Sequence, residues 1–370
     1  MNTGNYEQAV QEFETAINRY PRTQWAARSQ YNIGDAYYNA GDYDQAIAAN
    51  RKVLNDYPNS DYVVEAANGI DYARQASAGD RPADNDADQP SAVDEFIENN
   101  PQSGTNDQLR YRQAESLVQS GDYIKAIEKL EQYIRISNNS ELLPDAHLNL
   151  AKAYSETQRS AKAVESYQTL LEEYTGSDEA AEALIALGKM TLTENNYQNS
   201  FDYYSRLLEK GSAYRVEAYT GMGDARIGMG RVEDARQQYQ SALEIDGSFD
   251  AAKVGLAKSA LQQGNYEEAL QHLSPVAEAN TTAVGAEAQY LLGVTFQEQG
   301  EFQQALDEYA NVQVLYELYD NWVAKSLLKS GEAYIQLGNK SQARKVLQSL
   351  MNKYPRSSEA QQARQMLDNE

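Results

Sequence analysis

The chain has 370 residues, 41% of them hydrophobic, and carries 55 Asp and Glu against 32 Lys and Arg for a net charge of −23. That charge repels phosphate backbones and anionic headgroups, so nucleic acid and direct membrane binding fall outside the expected functions. The absence of cysteine excludes disulfides, thiolate metal sites and cysteine nucleophiles; no apolar run of about 18 residues marks a membrane-spanning helix, and the first residues are too polar for a signal peptide.

Residues 4–21 read as an amphipathic helix, the second half of a repeat whose first half is missing. Val10, Phe13 and Ile17 then have no preceding helix to cover them. The expectation is a fragment of a longer protein that self-associates through this uncovered face.

A full unit follows over residues 27–58. Tyr31, Ile33, Gly34 and Tyr37 recur at helical spacing, and Gly41-Asp42 supplies a left-handed stop followed by a helix cap. A second helix carries Tyr43, Ala46, Val53 and Leu54. It ends at Tyr57-Pro58, because the residue before proline is pushed out of helical geometry, and Ser60 is placed to cap the next helix.

The same grammar returns at Gly121-Asp122-Tyr123, Gly264-Asn265-Tyr266 and Gly300-Glu301-Phe302. A small residue recurs in the second helix at Ala9, Ala46, Ala126, Ala163, Ser200, Ala235, Ala269, Ala305 and Ala343, with steps of 34 to 38 residues apart from one double gap. In the first helix the small position is Gly34, Ala114, Ala151, Gly188, Gly223, Ala257, Gly293 or Gly331. Helices cross closely only where side chains are this small. The expected fold is therefore all-α, a right-handed solenoid of about nine to ten stacked antiparallel helix pairs without a sheet.

One unit departs from the pattern. It keeps Val93, Phe96 and Pro101, but Asp71 and Gln89 stand where small residues belong, and residues 75–90 between them are rich in Ala, Asp and Asn. The expected organisation is a short arm over 1–74 with a truncated first repeat, a degenerate repeat with an acidic linker over 75–104, a main array over 105–356 and a capping helix over 357–370. In that last helix Ala360, Ala363, Met366 and Leu367 should face inward, and Gln361, Arg364 and Gln365 outward.

Candidate chemistry is sparse. Asp84, Asp86, Asp88 and Glu95 have the spacing of a calcium loop, but Gln89 occupies the position that needs glycine and Pro90 follows, so an acidic linker is the better reading. Gly221-Met222-Gly223 and Gly228-Met229-Gly230 follow no strand and fall at packing and turn positions rather than around a phosphate. Gly188-Lys189 lacks the upstream glycine of a phosphate loop. His147 and His272, the only histidines, sit in different repeats as expected helix-surface residues, which disfavours zinc or a Ser-His pair. No cofactor and no enzymatic activity are expected, and most of the 28 tyrosines, Tyr167, Tyr204 and Tyr239 among them, are assigned to helix packing.

The Gly/Ala, Tyr, small, aromatic and Pro sequence resembles the tetratricopeptide repeat. The closing Tyr-Pro-x-Ser/Thr at 20–23, 57–60 and 354–357 is similar to repeat proteins of Gram-negative envelopes, such as the Tol-Pal coordinator and the lipoprotein arm of outer-membrane assembly machinery. The resemblance implies that first helices line an inner groove for a peptide or protein. On that implication Asp35, Glu115, Lys152, Lys189, Asp224, Lys258 and Glu332, each directly after the small position, face the groove. Lys152, Lys189 and Lys258 would attract an acidic partner segment, and Tyr31, Tyr38, Tyr111 and Tyr290 would give amphipathic contact area. The Lys and Asn clamp that some family members use for chaperone tails is missing, because Tyr31 with Asp35, Tyr111 with Glu115, and Leu148 with Lys152 stand at its positions. The expected function is a non-enzymatic interaction scaffold, periplasmic or envelope-associated with the cytoplasm as the alternative compartment, and the targeting arm of a larger enzyme or signalling protein is the alternative function.

Overall fold

The computed structural model describes residues 6–78, 91–102, 106–137 and 141–368. These form twenty α-helices, with no strand among the described residues. After α1 (Tyr6–Arg19), nine pairs follow in the order first helix, second helix. They are α2 (Gln24–Ala40) with α3 (Tyr43–Asp56), α4 (Val63–Ala78) with α5 (Ala92–Asn99), α6 (Asn106–Gln119) with α7 (Tyr123–Ile136), and α8 (Leu143–Glu156) with α9 (Ser160–Glu173). Next come α10 (Asp178–Thr193) with α11 (Tyr197–Leu208), α12 (Arg215–Gly228) with α13 (Val232–Ile245), and α14 (Asp250–Gln262) with α15 (Tyr266–Ala279). The last pairs are α16 (Ala283–Glu298) with α17 (Phe302–Leu315) and α18 (Asp320–Gln336) with α19 (Lys340–Lys353), before a final α20 (Ser358–Asp368). The chain groups into two compact units, residues 1–180 and 181–370.

Each pair is made by a turn that the sequence encodes. Gly41 takes a left-handed φ of 80°, and the Asp42 carboxylate accepts the Gln45 amide at 3.2 Å to start α3. Asp122 caps α7 in the same way through Lys125. Gln158 and Asn195 hold the equivalent turns with φ of 59° although neither is glycine. Asn265 departs from the expectation, since its side chain donates to Glu268 at 2.8 Å instead of capping α15. Thr23 and Ser357 cap α2 and α20 as the Pro-x-Thr/Ser pattern requires. Ser60 does not: its hydroxyl is buried without a partner, and only its carbonyl serves the next helix, accepting from Val63.

Large side chains of second helices sit on the small residues of first helices at a fixed offset of sixteen residues. A Cβ on Gly188 would lie 2.7 Å from Tyr204, one on Gly223 2.5 Å from Tyr239, one on Gly293 2.4 Å from Tyr309 and one on Gly331 2.5 Å from Leu347. The following pair closes the other side, where Gly221 and Gly255 take up Tyr204 and Tyr239. Tyr239 and Tyr309 are wholly buried as a result. In the first unit Gly34 and Gly69 bracket Asn50 in the same fashion.

The degenerate third unit is ordered by polar contacts. Asp71, out of place as a packing residue, accepts the Ala92 amide at 3.0 Å and so receives the start of α5, while Arg74 pairs with Glu95 at 2.9 Å. Val93 and Phe96 fill the core beneath. Glu95 is thus engaged in an ion pair, and Asp84, Asp86, Asp88, Gln89 and Pro90 lie outside the described residues.

Both ends of the chain can be compared with expectation. Val10 is buried at 7% exposure against Ile33, Ala36 and Ala49, with Phe13 and Ile17 half-buried beside it. The helices that follow α1 therefore cover much of the face expected to be bare, which corrects the basis offered for self-association. At the other end Ala360 and Ala363 are buried, Met366 and Leu367 pack on the α18–α19 core, and Gln361, Arg364 and Gln365 are exposed.

Candidate protein-binding face

The expected groove residues all lie on first helices, but their environments differ. Tyr31 of α2 is half-buried and stacks on Tyr62, with ring centroids 5.8 Å apart. Burial, then the neighbouring Asp35, which its hydroxyl meets, push its pKa up to about 12, so the phenol stays protonated. Burial also raises the Asp35 carboxyl, against the opposing hydrogen bond from Tyr31. Tyr38, 40% exposed, leans its ring against Tyr43 at the start of α3.

Tyr111 of α6 is not available as contact area. It is only 6% exposed, packs its ring on Tyr133, donates to Glu115 at 3.3 Å and accepts from Asn149 at 3.0 Å. This corrects the expectation that it faces a partner: at its position, packing between α6, α7 and α8 takes the whole ring. Lys152 of α8 is exposed.

In the second unit the lysines are already answered by the chain. Lys189 pairs with Glu217 of α12 at 2.8 Å, and Lys258 with Glu287 of α16 at 2.5 Å. The first pair is exposed and screened by water, whereas the second has side chains only 30% and 22% exposed. Burial works against the Lys258 charge, yet Asp224 and Glu287 outweigh it and hold its pKa above the ordinary lysine value. Burial lifts the Asp224 carboxyl in turn, opposed by Lys258 and by the Tyr239 hydroxyl that donates to it at 2.7 Å. Lys189 and Lys258 thus belong to in-chain ion pairs and are not spare positive charge waiting for an acidic segment.

Further along, Glu332 of α18 accepts from Lys329 at 2.6 Å and from Gln297 of α16 at 3.2 Å. Tyr290 lies between the rings of Tyr309 and Trp322, at 6.0 and 5.5 Å, and Lys325 rests over Trp322 at 4.3 Å from the ring centroid. Glu217, Glu287, Trp322 and Lys325 were missed as site residues. The signal for three of them was present: Glu217, Glu287 and Lys325 each stand six residues before the small glycine of their helix.

The remaining ionisable clusters are self-contained. Tyr154 donates to Glu131, with Lys162 3.6 Å from the same carboxylate, beside a cavity of about 350 Å³ that His147 also lines. Against expectation the two histidines are half-buried, and burial lowers the pKa of both. His147 lies tilted against the ring of Tyr174, while His272 lies 3.9 Å from Glu268, which is held by Arg236 at 2.6 Å. No group of three His, Asp or Glu side chains among the described residues is placed to hold a metal ion. No described helix is long and apolar enough to cross a membrane.

Comparison with known proteins agrees with this architecture. Residues 1–67 match a family model described as outer membrane lipoprotein. Tetratricopeptide repeat models match residues 117–188 and 226–294, 177–248, and 287–317 with 325–357. No curated protein matches the sequence. Among solved structures, a tetratricopeptide repeat protein from Parabacteroides merdae ATCC 43184 aligns with a TM-score of 0.58 at 16% identity, over 70% of this chain and 98% of that one. PilW, a type IV pilus biogenesis factor, aligns with a TM-score of 0.48 at 18% identity, over 60% of this chain and 98% of its own. With its nine helix pairs, its large-on-small contacts at constant offset and these family matches, the chain belongs to the tetratricopeptide repeat proteins.

Proposed function

We propose that the chain is a non-enzymatic scaffold that holds a protein or peptide along its first-helix face, within a bacterial envelope complex. The observation that carries this reading is the makeup of that face. In the second unit half-buried Tyr290 and Trp322 follow the Lys189–Glu217 and Lys258–Glu287 pairs along the first helices, and in the first unit half-buried Tyr31 stands on α2, all on helices packed by the small-residue contacts beneath them. Rigid amphipathic rings give contact area at small entropic cost, and fixed charges set register, which suits recognition of a polypeptide. The match of residues 1–67 to the outer membrane lipoprotein model supports the envelope assignment.

The test is capture from a Gram-negative envelope extract by three versions of the chain. One is wild type, one carries Tyr38→Ser, Lys152→Glu and Lys189→Glu on first helices, and one carries Arg51→Glu and Lys345→Glu at exposed positions of second helices. A partner lost only by the first-helix variant supports the reading. A partner lost only by the second-helix variant, or retained equally by all three, overturns it.

A further inference from the structure

In the second unit the connections that lead from one helix pair to the next are bonded to one another. The Asn280 side chain, after α15, donates to Asp250 at the start of α14 at 3.0 Å. The Tyr316 hydroxyl, after α17, donates to the Ala277 and Asn280 carbonyls at 3.0 and 2.8 Å, and the Tyr319 hydroxyl to the Thr281 carbonyl at 3.4 Å. Three successive pairs therefore present one continuous edge. Ile245, Ala279 and Leu315, the last residues of α13, α15 and α17, take equivalent places on it, each ten residues after the buried Ala235, Ala269 or Ala305.

At the α17–α18 connection this edge turns apolar. Val314 stands where α13 and α15 carry Glu244 and Glu278, and Val314, Leu315 and Leu318 are 73%, 63% and 87% exposed. Aliphatic groups left this far in water add almost nothing to the core, and the connection is already held by Tyr316 and Tyr319. A cluster of three such residues marks a contact surface rather than a demand of the fold. Its surroundings are acidic, with Glu244, Glu278, Glu317 and Asp320 all exposed along the three connections. The lysine among them is engaged, since Lys253 pairs with Asp250 at 2.8 Å, and Lys353 and Arg356 end the acidic row only at the next connection.

We propose that this edge docks a basic amphipathic segment of a partner protein, with aliphatic side chains on Val314, Leu315 and Leu318 and with Lys or Arg beside them facing Glu278, Glu317 and Asp320. Charge selects this occupant. A second copy of the chain would bring its own acidic rim and a net charge of −23, and anionic lipid headgroups would meet the same repulsion, whereas a basic segment is attracted and placed in register by it. The surface is built from the ends of second helices and the connections after them, so it is a separate contact from the first-helix face and goes beyond that reading.

The probes are the fluorescein-labelled peptide Ala-Lys-Leu-Leu-Lys-Lys-Leu-Leu-Lys-Ala, a version with Glu for every Lys and a version with Ser for every Leu, titrated with the full chain and followed by anisotropy. The Lys/Leu peptide should bind about tenfold more tightly than either of the others. Val314→Ser with Leu318→Ser should weaken that binding about tenfold without lowering the melting temperature, because both positions are exposed. Glu278→Lys with Glu317→Lys should weaken it through charge, and Ile124→Ser with Leu337→Ser, exposed apolar residues away from this edge, should leave it unchanged. Equal binding of the three peptides, no binding of the Lys/Leu peptide, or equal loss in the two serine variants would overturn the proposal. So would a wild-type dimer, or wild-type binding to phosphatidylcholine vesicles, that Val314→Ser with Leu318→Ser abolishes, because the patch would then belong to a second copy or to a lipid surface. The first-helix reading fails separately, in the envelope capture above, which changes no residue of this edge.

Discussion

The ring of Tyr239 occupies the space that a side chain on Gly223 would need, with a Cβ there falling 2.5 Å from the ring. Tyr239 is wholly buried and its hydroxyl is anchored on Asp224, so it has no room to retreat. Gly223→Ala should therefore destabilise the chain by about 1–3 kcal/mol through overpacking. Denaturant melts of this variant beside Gly41→Ala separate steric crowding from turn strain, because Gly41 has open space around it but a left-handed backbone. A double variant Gly223→Ala with Tyr239→Leu should recover part of the loss.

Asn50 stands where Leu130 and Leu347 stand in other pairs, and its side-chain oxygen is buried without a partner. An unmet buried acceptor costs about 1–3 kcal/mol. Asn50→Leu should raise the melting temperature of the first unit, whereas Asn50→Ala should do less because it leaves the bracket between Gly34 and Gly69 unfilled. Scanning calorimetry of the three proteins checks the order.

The two lysine pairs of the second unit should respond differently to removal. Lys258→Met strands Glu287 and Asp224 in a half-buried setting and should cost about 2 kcal/mol, between the surface and the fully buried cases. Lys189→Met removes a pair whose lysine is 62% exposed, so its cost should not exceed about 0.5 kcal/mol. Urea unfolding at low and high salt gives both values, and only the Lys189 effect should vanish with salt.

Two carboxylates should give opposite pH signatures. Glu268 is held below its ordinary value chiefly by the hydrogen bond from Arg236, so its contribution is present above the unfolded value and lost as pH falls through the folded one. Asp224 is raised by burial, so the folded chain binds its proton more readily than the unfolded chain. Its contribution is greatest at low pH and declines as pH rises through the raised value. Melting curves across the acid range should show that Glu268→Gln weakens acid destabilisation, while Asp224→Asn removes a loss of stability on the alkaline side of that range.

Much of the fold was legible because one steric rule repeats. Glycine or alanine at fixed spacing marks where helices touch, and Gly41-Asp42 and Tyr57-Pro58 mark where they turn. Contacts between distant positions were harder to read. Asp71 looked like a broken packing position, yet it receives the start of α5, twenty-one residues later. Position after the small residue placed Lys189 and Lys258 on the first helices, but their neutralisation depends on Glu217 and Glu287 one helix pair away. Tyr111 was misjudged for a related reason. Its position resembles that of Tyr31, but α7 supplies Tyr133 and α8 supplies Asn149 to enclose it.

The central claim is that partners are held on first helices, and the absence of native cysteine makes a direct measurement simple. Single variants Tyr38→Cys, Lys189→Cys, Arg51→Cys and Lys345→Cys are exposed to a maleimide with and without the partner captured from envelope extract. The account predicts slowed labelling of the first two residues, on α2 and α10, and unchanged labelling of the last two, on α3 and α19. Slowed labelling confined to α3 and α19, with α2 and α10 unaffected, would contradict it.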